Sequence, residues 1–124
     1  MNLVDSSGWL EYFTDGKNAK FFVRVIENTE ELMVSTINLY EVYKKILLEK
    51  NEDAALQVIG LMQQAKVAEI TSSIAIMAAK HSYELKLPMA DSLIYSTART
   101  HDATVWTQDA DFKDLEEVKY FKKD

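Results

Sequence analysis

Leu87-Pro88-Met89-Ala90-Asp91-Ser92-Leu93-Ile94-Tyr95, followed by the β-rich run Ala103-Thr104-Val105-Trp106, decides the fold class. The first stretch reads as a helix start. Pro88, the only proline in the chain, suits the first helical position, where a fixed φ and a missing N–H cost nothing. Asp91 then falls in the first turn, where the positive end of the helix dipole favours a carboxylate. Ala90, Leu93, Ile94, Thr97 and Ala98 form an apolar stripe at helical spacing, and Asp91 borders that stripe. The helix ends near His101-Asp102, and the strand that follows ends at Thr107. Helix feeding strand is the repeating unit of an α/β domain.

The same alternation runs through the rest of the chain. Leu3-Val4-Asp5 is a short buried strand ending in an acid. Ser6-Ser7 offer caps for a helix through Trp9, Leu10, Tyr12 and Phe13, closed by the turn Thr14-Asp15-Gly16. Lys17 to Asn28 reads as a helix, and Leu32-Met33-Val34 as a second strand. Ser35 or Thr36 caps a longer helix through Leu47, and Asn51 starts another. Val67-Ala68-Glu69-Ile70 is a third strand, Thr71-Ser72-Ser73 caps a helix from about Ile74 to Lys86, and Val118-Lys119-Tyr120-Phe121 is a final strand. Short apolar strands between helices imply a parallel sheet covered on both faces. No repeat or linker interrupts the pattern, so residues 1–124 read as one domain.

Composition narrows the chemistry. With 124 residues, 48% hydrophobic and 27% charged, the chain has the balance of an ordinary soluble domain. It has no cysteine, which excludes disulfides, thiolate metal sites and cysteine nucleophiles and fits a reducing cytoplasm. No apolar run approaches the ~20 residues that span a bilayer, and Met1–Asp5 lacks the basic start of a signal peptide. A net charge of −6 argues against a basic nucleic-acid coat protein. It leaves open an enzyme that grips a phosphodiester through metal ions held by carboxylates.

Four acids stand out. In an open parallel sheet, ligands bind in the crevice outside the carboxyl ends of the strands. Asp5 ends the first strand and Asp109 follows the Ala103–Trp106 strand, so both belong at that edge. The Pro88 helix runs into the same strand, which puts its start at the opposite edge unless the helix tilts across; topology leaves the edge of Asp91 open. Glu41 shares a helical line with Ile37 and Leu48 and borders a buried face. Each acid has an ordinary alternative: strand end and cap for Asp5, dipole acid for Asp91, turn cap for Asp109 or Asp111, solvated helix charge for Glu41. Carboxylates against apolar surface carry a desolvation cost unless paired or metal-bound. No basic partner is evident in sequence, and a hard divalent cation suits such an oxygen-donor set.

Leu3-Val4-Asp5-Ser6-Ser7, Thr36-Ile37-Asn38-Leu39-Tyr40-Glu41, Pro88-Met89-Ala90-Asp91-Ser92-Leu93-Ile94 and Thr107-Gln108-Asp109-Ala110-Asp111-Phe112 occur in that order. Together they resemble a PIN-domain ribonuclease of the VapC-like toxin group, from residue 3 to about 112. The resemblance implies a three-layer α/β/α sandwich around a short-stranded, mainly parallel sheet, with the third acid's helix aiming that acid into a shared pocket. It implies that Asp5, Glu41, Asp91 and Asp109 form the catalytic and metal site for Mg²⁺ or Mn²⁺. Ser6 or Ser7 and Thr107 match the family's hydroxyl positions and would orient the carboxylates. Asp109 is assigned over Asp111 because it stands two residues after Thr107, which leaves Asp111 for local capping. Gly8 replaces the larger residue common there and loosens the first helical turn.

The implied activity is metal-dependent hydrolysis of RNA, with a cognate antitoxin on part of the aromatic-rich helical surface and a homodimer through another face. A receiver-like phosphoacceptor domain is the rival of similar size, but Asp5 stands without a second acid and none ends Leu32-Met33-Val34. A haloacid-dehalogenase-like phosphatase would need a second Asp two residues after Asp5. A PIN-fold binding module without catalysis ranks below the nuclease, because all four acids are present. His81 lies on a helix-packing line and His101 near a helix end, and nothing converges the two imidazoles for metal-free ribonuclease chemistry. Lys44, Lys45 and Arg24 are the candidates for phosphate contact, although scattered surface basics usually serve solubility.

Overall fold

In the computed structural model, which describes residues 1–123, the five strands are β1 (Asn2–Val4), β2 (Leu32–Ser35), β3 (Lys66–Ala68), β4 (Thr104–Thr107) and β5 (Val118–Tyr120). They form one parallel sheet in the order β3-β2-β1-β4-β5. The register sets Leu3 beside both Met33 and Val105, and Val34 beside Val67. Receiver domains and flavodoxins use the order 2-1-3-4-5, so the sheet overturns the phosphoacceptor alternative.

Among the described residues, six α-helices flank the sheet: α1 (Ser6–Phe13), α2 (Val23–Glu27), α3 (Thr36–Glu49), α4 (Glu52–Met62), α5 (Ser72–Leu85) and α6 (Met89–Thr100). Alternate strand residues point to opposite faces. Val4 and Val34 pack with Trp9, Phe22, Val42 and Ile46 on the side of α1 to α4. Leu3, Met33 and Val105 pack with Ile94, Tyr95 and Ala98 of α6 on the other. These are the expected three layers.

Local chemistry explains most boundaries. Asn51 and Thr71 cap α4 and α5 through side-chain oxygens, at Ala54 N–H and Ile74 N–H. The span Lys17 to Asn28 is broken into a 3₁₀ turn, Ala19–Phe21, and the five-residue α2. Phe21, Phe22, Val23, Val25 and Ile26 are aromatic or β-branched and lose side-chain freedom in a helix. Pro88 is the N-cap of α6, with φ −56° and ψ 157°, one residue before the position expected for it. The third strand stops at Ala68 and leaves Glu69 and Ile70 in the link to α5.

Two expectations are corrected. The first concerns α6, which ends at the amino edge of the sheet, where Thr104 N–H donates to Met1 O at 3.0 Å. Its start therefore lies at the carboxyl edge with Asp5. The reversal is taken up upstream by α5, which runs antiparallel to α6: His81 meets Ser96, and Met77 meets Thr100. The second concerns Gly8. A Cβ there would stand 2.7 Å from both Phe22 Cε1 and Val4 Cγ1, so glycine lets α1 press onto the core and does not loosen it.

Candidate active site

The sheet order reverses beside β1, and the crevice between the ends of β1 and β4 is where such folds bind ligands. Asp5 N–H donates to Trp106 O at 2.9 Å, which extends the β1–β4 pairing to the crevice itself. The Asp5 side chain then caps α1, a role expected of Ser6 or Ser7. Its Oδ2 accepts from Ser7 Oγ at 2.8 Å, Thr107 Oγ1 at 2.9 Å and Ser7 N–H at 3.3 Å. None of these bonds uses Oδ1. Burial pushes the Asp5 carboxyl up to about 6, with the Ser7 and Thr107 hydroxyls pulling down and the nearby Asp109 charge adding to the rise.

Asp91 reaches the same place from the first turn of α6 and is 9% exposed. Among the described residues, no hydroxyl or backbone N–H is within hydrogen-bond reach of its carboxylate. Burial is the main cause that raises it to about 8, followed by a hydrogen bond with Asp111 and the charges of Asp109 and Asp5. Asp91, Asp109 and Asp111 each offer a carboxylate oxygen within 4.8 Å of the other two.

Asp109 takes on the capping expected of Asp111 while keeping its place among the carboxylates, and Asp111 joins it there. Asp109 does the local capping, since its Oδ1 accepts from Asp111 N–H at 2.9 Å at the start of the 3₁₀ turn Ala110–Phe112. The Asp111 carboxylate is free of that duty and faces Asp91. Asp109 N–H in turn donates to Thr107 Oγ1 at 2.9 Å, so one threonine positions two acids.

Glu41 lines the same depression, of about 520 Å³, but stands outside the three-carboxylate group. Its helical line is less buried than expected, because Leu48 is 75% exposed. Glu41 Oε1 accepts from Ser6 Oγ at 2.7 Å. Ser6 Oγ accepts from Asn38 Nδ2 at 2.9 Å, and Asn38 Oδ1 accepts from Ser35 N–H at 3.0 Å. The paired serines thus divide their work: Ser7 serves Asp5 and Ser6 serves Glu41.

Asn38 was not among the expected site residues. It is fully buried and completes a capping box on α3 with Ser35. The sequence signal was Ser35-x-x-Asn38, with Asn where such boxes carry Glu or Gln. Gln108 was missed too: it donates to Ser7 O at 3.3 Å and accepts from Asn18 Nδ2 at 2.9 Å. The histidines play no part here. His81 Nδ1 lies 2.7 Å from Ser96 Oγ, with its ring edge-on to Tyr95 in the α5–α6 contact.

The donor set suits a hard divalent cation. It consists only of carboxylate oxygens, and like charges gather there against a desolvation cost. Among the described residues, neither ion pair within 4.0 Å (Met1 with Glu31, Lys45 with Glu49) involves any of these acids.

The PIN domain family model matches residues 3–118. The chain belongs to the PIN-domain family. Solved structures agree on the fold of this PIN domain. A chain of a toxin–antitoxin complex from Klebsiella pneumoniae is 20% identical, with a TM-score of 0.79 over 99% of this chain and 100% of that one. A VapC from Mycobacterium tuberculosis, described as a sarcin–ricin loop cleaving toxin, is 14% identical, with a TM-score of 0.79 over 94% of this chain and 95% of its own. A DNA-bound VapBC from Salmonella typhimurium contributes a chain 17% identical, with a TM-score of 0.75 over 98% of each. A search of curated proteins returns no match. Among the described residues, no helix of this PIN domain is long and apolar enough to cross a membrane.

Proposed function

We propose that this PIN domain is a metal-dependent endoribonuclease, the cytoplasmic toxin of a toxin–antitoxin pair, working as a homodimer. The observation that carries the reading is the convergence of Asp5, Asp91, Asp109 and Asp111 at one sheet edge, none of them in an ion pair among the described residues. Asp5, Asp91 and Asp109 would hold Mg²⁺ or Mn²⁺, with Asp111 beside them and Glu41 across the depression. When bound, such an ion lowers the pKa of a water and offsets charge developing at phosphorus.

The protein's own groups do the rest. Ser7 and Thr107 tie up Asp5 Oδ2 and thereby present Oδ1 in a fixed orientation. Ser6 holds Glu41 outside the three-carboxylate group, where it can accept a proton from the attacking water. Hydrolysis forms one P–O bond from that water and breaks one to a ribose oxygen. Lys45 and Lys123 also line the depression and can offset the charge of the flanking phosphates.

Support for a protein partner comes from α3 and α4. Leu39, Tyr40, Tyr43, Leu47 and Ile59 line an apolar groove between them, and Tyr40 is 62% exposed. The structural neighbour from Klebsiella is itself part of a toxin–antitoxin complex, and the one from Salmonella is part of a DNA-bound VapBC. An amphipathic antitoxin segment would read such a groove through spaced apolar anchors.

The deciding experiment is cleavage of end-labelled RNAs with Mg²⁺, Mn²⁺ or EDTA, by wild type, Asp5→Asn and Asp91→Asn. Cleavage is expected only with metal, with losses of at least about 10²-fold in each variant. Undiminished cleavage by a folded Asp91→Asn protein would refute the assignment.

A further inference from the structure

We infer that a single-stranded RNA track leads from the acidic depression along the β4–β5 side of the sheet, with the Phe21–Phe121–Trp106 stack as its aromatic platform and the exposed outer ring, Phe21, as the face that receives a base. The inference rests on the nuclease reading for its choice of RNA. Its geometry is separate.

Four depressions share their walls in sequence. The acidic one shares Glu11, Gln108 and Lys123 with a neighbour that also holds Lys17 and Asn18. That neighbour shares Lys17 and Asn18 with a third, which adds Lys20, Phe21, Phe121 and Lys122. The fourth begins at Lys20, Phe21 and Phe121 and extends to Arg24 and Trp106. The path is continuous from the carboxylates to the indole.

Beyond Glu11, which lines the first two depressions, charge along this path is opposite to that of the whole protein. The chain carries a net charge of −6, yet no carboxylate lines either of the last two depressions. Lys17, Lys20, Arg24, Lys122 and Lys123 stand along the path, and Lys119 Nζ sits 4.4 Å from the Trp106 ring centroid. A local basic strip on an acidic protein has a polyanion as its natural occupant.

The aromatic geometry selects single strands. Phe21 and Phe121 are stacked at 4.7 Å with a 6° interplanar angle, and Trp106 continues the stack at 5.9 Å and 28°. Phe21 remains 39% exposed, with Lys20 Nζ 5.3 Å from its ring centroid. Aromatic faces beside cations in a basic groove are the means by which proteins hold unstacked bases without reading sequence. Duplex RNA has no free base faces to offer.

The test is fluorescence anisotropy with a labelled oligouridine in EDTA, where cleavage plays no part. The Lys20→Ala/Arg24→Ala/Lys122→Ala protein changes only exposed residues, so its fold is safe. Its dependence of log affinity on log salt should flatten by about 2, since each single-strand phosphate contact contributes about 0.7. Phe21→Ala should weaken binding about tenfold and leave the salt slope unchanged. Oligouridine should quench the Trp106 emission, which a Trp106→Phe variant removes. Absence of wild-type binding, an unchanged slope in the triple variant, or equally tight binding of duplex RNA overturns the track. Loss of capture of a purified antitoxin by the triple variant, with RNA binding intact, would also overturn it in favour of a protein occupant. If wild type never cleaves RNA yet the triple variant loses oligouridine, the track stands and the nuclease reading falls.

Discussion

Thr107 Oγ1 donates to Asp5 Oδ2 at 2.9 Å from the end of the neighbouring strand. The same oxygen accepts from Asp109 N–H at 2.9 Å, so one buried hydroxyl fixes a carboxylate on β1 and the backbone of an acid after β4. Thr107→Val keeps the shape and removes both bonds. Losing a group that orients ligands costs about 10–100-fold in metal affinity or activity, and that loss is expected here. Calorimetric Mn²⁺ titration alongside RNA cleavage will measure it, and Thr107→Ser should restore most of it.

Stability without metal should fall as pH rises. Asp5 is raised to about 6 and Asp91 to about 8, against roughly 3.9 for an unfolded Asp. Between those values the native state binds more protons than the unfolded one, so unfolding free energy decreases with pH. The decline begins above about pH 4 and levels off above about pH 8. Asp91→Asn removes the larger contribution. In EDTA at pH 8 it should melt above wild type by several degrees, since about 1 kcal/mol corresponds to roughly 4 °C in a domain of this size. Divalent metal should stabilise wild type most at high pH, where its ligands ionise without cost. Melting curves across pH, with and without metal, test both statements.

Gly8→Ala should be costly for a residue in a short surface helix. The added methyl would meet Phe22, fully buried, and Val4, also fully buried, at 2.7 Å. Overpacking of this kind costs about 1–3 kcal/mol. The shift would carry Ser6 and Ser7 with α1, so cleavage at low temperature should drop along with the denaturant midpoint. An unchanged midpoint would mean that α1 moves freely against the sheet.

The fold was legible because its signals are local. Alternating apolar runs such as Leu32-Met33-Val34 and Thr104-Val105-Trp106, with Asn51 and Thr71 as caps, each act within a few residues. What misled was whatever depends on distant contacts. Gly8 looks like a loosened turn until Phe22 packs on it. The edge of Asp91 is the exception: α6 leads into the amino end of β4 and so starts at the carboxyl edge, which the connection alone already requires. Ser6 and Ser7 are equivalent in sequence, and only the approach of Asn38 and Thr107 from other elements tells them apart. Order and spacing singled out Asp5, Glu41, Asp91 and Asp109, but neither the arrival of Asp111 beside Asp91 nor the hydrogen-bond partners of these acids could be read there.

The pair Asp109 and Asp111 separates charge from capping. Asn in place of Asp109 still offers a side-chain oxygen to Asp111 N–H and is itself a good cap residue. Asn in place of Asp111 leaves that N–H in place. Both substitutions therefore remove a negative charge and leave the 3₁₀ turn intact. Asp109 raises both Asp5 and Asp91, whereas Asp111 acts on Asp91 alone. Asp109→Asn should thus weaken Mn²⁺ binding more than Asp111→Asn, with losses of about tenfold or more for the first. Carbon-13 NMR titration of the carboxyls without metal should show the Asp91 midpoint lowered in both variants and the Asp5 midpoint lowered only in Asp109→Asn. If Asp111→Asn leaves the Asp91 midpoint at its wild-type value, Asp111 is a bystander and the site has three aspartates, not four.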